Sequence, residues 1–296
     1  MSHFETPEPI SVVLELRVAD VRVAAGERAD TIVHVRPSDA SRRDDVTAAE
    51  QTRVEYADSR LLVKAPRRLR EWSPRSDGGS IDIEIELPTG SDLSGHTAAG
   101  GFRCTGSLGR CELKSSAGEI SVDQAARVKL VTAGDIRLER VTGDAELATA
   151  TGDVRAGEID GTAVIKNSNG DTRIREIGGD LRVKAANGDI DVEHSHGSVN
   201  AKTANGHIRV GSVHRGSLVA ETATGHIEVG IAGGVSAWLD LDTRYGHVRN
   251  GLDATEGPAS ADEQVEVRAR TGFGDITIRR ESQPSDKLLA GGSDHE

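Results

Sequence analysis

An acidic or imidazole side chain follows nearly every glycine of a regular series. Glu119, Asp135, Asp153, Asp171, Asp189, His207, His226, His247 and Asp275 stand directly after Gly118, Gly134, Gly152, Gly170, Gly188, Gly206, Gly225, Gly246 and Gly274. If those glycines stack, consecutive members of the column lie about 5 Å apart. Stacked carboxylates at Asp135, Asp153, Asp171 and Asp189 would repel, and an oxygen-liganded cation such as Ca²⁺ would relieve that. His207 and His226, with His247, would suit a transition metal. The other chemistry is local: a carboxylate after Asn-Gly or Thr-Gly accepts backbone N–H bonds and serves the turn. The Gly-Gly-x-Gly-x-Asp nonapeptide of calcium-binding repeats is missing. Turn chemistry is therefore the expectation, and no metal or cofactor is assigned.

Two further places suggest contact with a partner. Arg67, Arg68 and Arg70, with Lys64 and Arg75, surround Trp72 in a loop and could meet a phosphate or an acidic protein. Trp238 occupies an outward strand position beside Asp240 and Asp242, where an aromatic anchors partners or packs under a loop. No Ser/His/Asp order, phosphate-binding loop or Cys-x-x-Cys motif appears, so no catalytic residue is assigned. The carboxylate pairs Asp189/Asp191 and Asp240/Asp242 resemble those of sugar-cleaving β-helices, but aromatic sugar platforms are missing. Cys104 and Cys111 fall on inward positions and are expected as buried free thiols.

These residues are positioned by a repeat. The glycines at 134, 152, 170, 188 and 206 recur every 18 residues, and a second series at 143, 161, 179 and 197 interleaves at the same period. Each unit thus holds two turns and two short strands. Apolar residues fall two and four places after each glycine, as at Leu181/Val183 and Ile190/Val192, with polar residues between them. Six places after each second-series glycine runs a polar ladder, Ser115, Thr149, Asn167, Thr203 and Thr222 with Ala185 among them, able to hydrogen-bond from coil to coil. Two strands per 18 residues leave no room for crossover helices. Like recurring on like points to an all-β fold, a parallel β-solenoid of the single-stranded β-helix type with about 18 residues per coil.

Residues 1–93 lack the repeat but contain alternating strand runs, and are expected to form an N-terminal β cap. Residues 94–279 are the solenoid repeats, with residues 253–264 as an inserted loop and Ile276 and Ile278 on the last coil, the expected open edge. Residues 280–296 form a polar, disordered tail. The net charge of −12 argues against nucleic acid as partner. No apolar run is long enough to span a membrane. The opening residues lack a basic, apolar leader, so the expected location is the cytoplasm.

Units of the type Thr-Ala-Asn-Gly-His/Asp-Ile-x-Val at 203–210, 222–229 and 185–192, with the opening Phe4-Glu5-Thr6-Pro7-Glu8-Pro9-Ile10, resemble a bacterial β-strand-repeat family catalogued as putative adhesins, a domain-of-unknown-function family. The opening is similar to actinobacterial members. The resemblance implies a parallel β-solenoid without established enzymatic activity and carries over no catalytic residue. Some Gram-positive relatives act in envelope-stress responses and bind antimicrobial peptides. The functional expectation is a non-enzymatic binding or scaffold protein. Its solenoid faces would meet a protein, peptide or cell-envelope component, and the chain itself would be a monomer or weakly self-associating. A self-assembling, cytoskeletal-type β-helix is the alternative, and a carbohydrate-active enzyme a more distant one.

Overall fold

A computed structural model describes residues 1–65, 79–252 and 264–280. Its chain winds as a parallel β-solenoid with two walls. One wall carries the strands Ile136–Val141, Val154–Ile159, Thr172–Ile177, Ile190–Ser195, Ile208–Val213 and Ile227–Ile231, each paired in parallel with the next. The other carries Ala145–Thr149, Ala163–Asn169, Leu181–Asn187, Val199–Asn205 and Gly216–Thr224 in the same manner. Two longer strands, Phe102–Ser115 and Ile120–Thr132, bend from one wall into the other.

The register explains the repeat. Val154 pairs with Thr172, Thr172 with Ile190, and Ile190 with Ile208, so every inward column is vertical. At the turns the backbones nearly touch. Gly188 has φ +130° and a Cβ added there would lie 2.0 Å from the carbonyl oxygen of Gly170. Only glycine tolerates both that torsion and that approach. The polar ladder then closes each turn. Ser115, Thr132, Thr149, Thr222 and Thr271 donate to the carbonyls of Gly100, Gly118, Gly134, Gly206 and Gly225 at 2.6–3.1 Å, each glycine belonging to the preceding layer. Ala185 interrupts this ladder.

A third inward row joins the two expected ones. Val141, Ile159, Ile177, Ser195, Val213 and Ile231 are all buried. Two outward residues in succession, such as Glu139 and Arg140, bend the strand just before them and turn the next residue inward. Phe102 is the one aromatic among the largest fully buried side chains, and Gly95 clears space for its ring.

The ends differ from the sequence expectation. The region expected as a cap contributes layers of its own: Ser11–Glu15 pairs in parallel with both Arg60–Lys64 and Asp92–Thr97. Ala19–Gly26 pairs likewise with Ile81–Pro88 and with the start of Phe102–Ser115. Outside these lie short antiparallel strands, Ser2–Glu5, Asp30–Pro37 and Arg53–Ala57, and the helix Arg43–Gln51. At the other end the last strands are not the edge. Gln264–Phe273 lies between Gly216–Thr224 and Ser236–Tyr245, and Ile276–Arg280 between Ile227–Ile231 and Val248–Asn250. Ile276 and Ile278 are buried, so the outermost coil is Ser236–Asn250. At the C-terminal end the chain skips one place and later returns to fill it. At the N-terminal end it lays down the second place first, then the marginal strands, and passes over to the third.

Thr172 is fully buried in an otherwise aliphatic column, and its hydroxyl has no partner. A desolvated hydroxyl without a hydrogen bond costs free energy that a methyl group of the same shape does not. Thr172→Val is expected to raise stability by about 1 kcal/mol, read from the urea midpoint. A lower midpoint would mean that the hydroxyl is satisfied.

Candidate functional site

The column after the turn glycines is one continuous chain of hydrogen bonds. The backbone N–H of Asp153 donates to Asp135 Oδ1, that of Asp171 to Asp153 Oδ1, and that of Asp189 to Asp171 Oδ1, each at 3.0 Å. His207 donates to Asp189 Oδ1 at 2.7 Å. The acceptor then changes chemistry but not role: His226 N–H donates to His207 Nδ1, and Asp275 N–H to His226 Nδ1, both at 2.9 Å. The two imidazoles stack with centroids 5.1 Å apart. His247 N–H completes the chain on Asp275 Oδ1 at 2.9 Å. The order 226, 275, 247 follows the spatial stack instead of the sequence. Among the described residues no three His, Cys, Asp or Glu side chains gather as a metal site.

The second carboxylate oxygens position another row. Asp153 Oδ2 and Asp171 Oδ2 each accept from the arginine two residues later, Arg155 and Arg173, at 2.7 Å. Arg137 reaches Asp135 at 3.4 Å and also Glu119. Arg137, Arg155 and Arg173 are in register on successive coils. Towards the N-terminus the same row continues through Ser121 to Arg103 and Arg22. Like charges stacked directly on one another repel. The aspartate beside each guanidinium offsets that and holds it in place, while donors remain free on its exposed side. Two surface depressions along this wall fall on the row. One, of about 250 Å³, is lined by Arg137, Arg155, Arg173, Arg175, Glu139 and Glu193, over the missing side chain of Gly157. The other, of about 490 Å³, includes Arg22, Arg103, Asp20 and Glu119. Alternation alone marks these residues only as polar and outward; their vertical alignment in the 18-residue period is the signal for a built row.

Trp238 lies on the outermost strand and is 60% exposed, opposite Glu266 of the neighbouring strand. At the far end of the same strand Tyr245 stacks on Phe273 at 4.8 Å, both exposed. Arg67, Arg68, Arg70 and Trp72 lie outside the described residues, as does most of the loop expected at 253–264. Cys104 and Cys111 are buried and free, and the neighbouring Cys104 thiol, followed by burial, pushes the Cys111 thiol well above its ordinary range. Sequence reasoning missed a second turn ladder, in which Thr162 N–H donates to Asp144 and Ser198 N–H to Asp180.

A family model, Toastrack DUF4097, matches residues 11–282. The chain belongs to that family. Three solved structures resemble it at low identity. A putative adhesin from Bacteroides fragilis is 12% identical, covering 94% of this chain and 95% of its own, with a TM-score of 0.36. A putative adhesin from Parabacteroides distasonis is 11% identical, covering 93% and 95%, with a TM-score of 0.33. A putative cell adhesion protein from Clostridium sporogenes is 10% identical, covering 94% and 98%, with a TM-score of 0.22. None of the curated proteins matches. No described helix of this Toastrack chain is long and apolar enough to cross a membrane.

The column also gives a pH dependence. The His247 N–H, then the charge of Arg249, hold the Asp275 carboxyl below the usual carboxylate range, against a smaller opposing effect of burial. A carboxyl whose pKa is lower folded than unfolded stabilises the fold above its unfolded pKa. That stabilisation is lost as the pH falls through the folded value. The protein is therefore expected to lose stability below about pH 4. Asp275→Asn should flatten that acid limb of the thermal midpoint, and an unchanged limb would remove Asp275 from the column's energetics.

Proposed function

We propose that this Toastrack chain is a non-enzymatic binding or scaffold protein. Its arginine-bearing wall receives an extended protein, peptide or cell-envelope component that displays carboxylate or phosphate groups. The observation that carries the reading is the row Arg22, Arg103, Arg137, Arg155 and Arg173, on which two depressions of that wall lie. Guanidinium groups pair with carboxylates and phosphates through two parallel N–H bonds. Spaced one per coil from Arg137 to Arg173, and again at Arg22 and Arg103 beyond Ser121, they match a ligand that carries its anions along a line. The aspartates beside them screen the row, so a single anion gains little and a repeated one gains at every coil. The arginines are about half exposed, so their removal leaves the fold intact.

The test uses poly-L-glutamate as the probe on the full chain, with a neutral polymer as control. Retention is expected for the anionic polymer alone and should fall with salt. Arg155→Ala with Arg173→Ala should weaken it roughly tenfold, which is about 1.4 kcal/mol, without moving the thermal midpoint. Equal binding of the double variant would contradict this assignment of the wall.

A further inference from the structure

We propose that the outermost coil, Ser236–Asn250, docks on the same coil of a second copy of this chain and joins the two tail to tail in a closed two-fold dimer. Among the described residues, the strands Ser236–Tyr245 and Val248–Asn250 pair on one side only, with Gln264–Phe273 and Ile276–Arg280. Their other edges present unpaired backbone donors and acceptors, which is a template for another strand. Ser236–Tyr245 is ten residues long and contains no proline, glycine or lysine to blunt it. Its inward Leu239 and Leu241 are only half-buried, while their counterparts Leu218 and Ala220 two layers inside are fully buried. Among the described residues, the exposed large hydrophobic ones apart from Met1 are Trp238, Tyr245, Val248 and Phe273, all on this coil or the one beneath it. The opposite end is finished differently, by antiparallel strands of four and five residues at its margins and a helix.

Charge selects the second copy as occupant. Asp242 and Arg244 are exposed, stand on one face of the edge strand, and make no ion pair with any described residue. Turn a copy of the strand about a two-fold axis through Thr243 and each Asp242 stands opposite the other copy's Arg244, with Leu241 opposite Tyr245. Opposite charges directly across an antiparallel pair attract. A parallel addition would not bring those two residues together. Such an isologous contact consumes the edge of both copies, and the finished opposite ends offer no equivalent, so growth stops at two. One strand pair with an aromatic rim is below the size of a standard interface, so the dimer forms in the micromolar range. The two anion-binding walls of the proposed function would then be presented together, although the dimer does not rest on that reading.

The experiment is sedimentation equilibrium of the full chain at low salt, from about 1 to about 500 µM, a range that brackets micromolar association. The mass is expected to rise from 31.3 kDa to twice that value and no further. Arg244→Asp or Asp242→Arg alone should weaken association at least tenfold. The double variant Asp242→Arg with Arg244→Asp restores opposite charges across the axis and should regain it. All three are expected to keep the wild-type circular dichroism, because neither side chain has an ion-pair partner among the described residues; Arg244→Asp also keeps the thermal midpoint, whereas Asp242→Arg stands opposite Arg270 and lowers it slightly. Three results would overturn the proposal. One is a wild-type chain that stays at 31.3 kDa throughout, the edge then being filled by its own chain or kept for a different peptide. Another is growth past the dimer. The last is a single reversal that associates like the wild type.

Discussion

Everything in this structure depends on how closely one coil sits on the next at the turn glycines. The added-Cβ distances at Gly170, Gly188, Gly206 and Gly225, all between 2.0 and 2.3 Å from the preceding glycine's carbonyl oxygen, leave no room for a side chain. That contact locks successive coils in register, so a residue type repeated at the period becomes a vertical line. The aliphatic columns, the threonine ladder onto glycine carbonyls and the aspartate ladder onto backbone N–H groups are three consequences of one constraint. The arginine row is a fourth, because the same aspartates that tie coil to coil also hold its guanidinium groups.

A stack with free ends would fray, since an end coil has one neighbour and an end of chain has one attachment. This chain separates the two problems. Its early coil, Ser11–Gly26, and its last, Gln264–Arg280, each lie between two others. The strands left at the margins, Arg60–Lys64 with Ile81–Pro88 and Ser236–Tyr245 with Val248–Asn250, are interior in sequence and tethered at both ends. The hydrogen-bond column records the same arrangement independently, passing from His226 to Asp275 before reaching His247. The N-terminal margin receives antiparallel strands and a helix. The C-terminal margin keeps an open strand edge with aromatic residues around it.

The period of 18, the two walls and the turn role of the aspartates were legible in the sequence, because each follows from a local pattern repeated many times. Three features were not. The third inward row, Val141 to Ile231, depends on a bend produced by two outward residues, which breaks simple alternation. The exchanged coil order at the ends depends on which neighbour a strand finds in space. The irregular glycine spacing after Gly225 was the single trace of it, and it reads equally well as an inserted loop. Trp238 was identified as an outward residue, but its place on the edge follows only from that exchange. Arg67, Arg68, Arg70 and Trp72 lie outside the described residues.

Hydrogen exchange, resolved by segment in dilute solution, tests the stacked order most directly. Backbone amides at an edge open more readily than those paired on both sides. Residues 264–280 are expected to exchange more slowly than residues 236–250, although they stand nearer the C-terminus. Faster exchange at 264–280 would contradict the inserted last coil, and with it the uncovered edge at Ser236–Asn250.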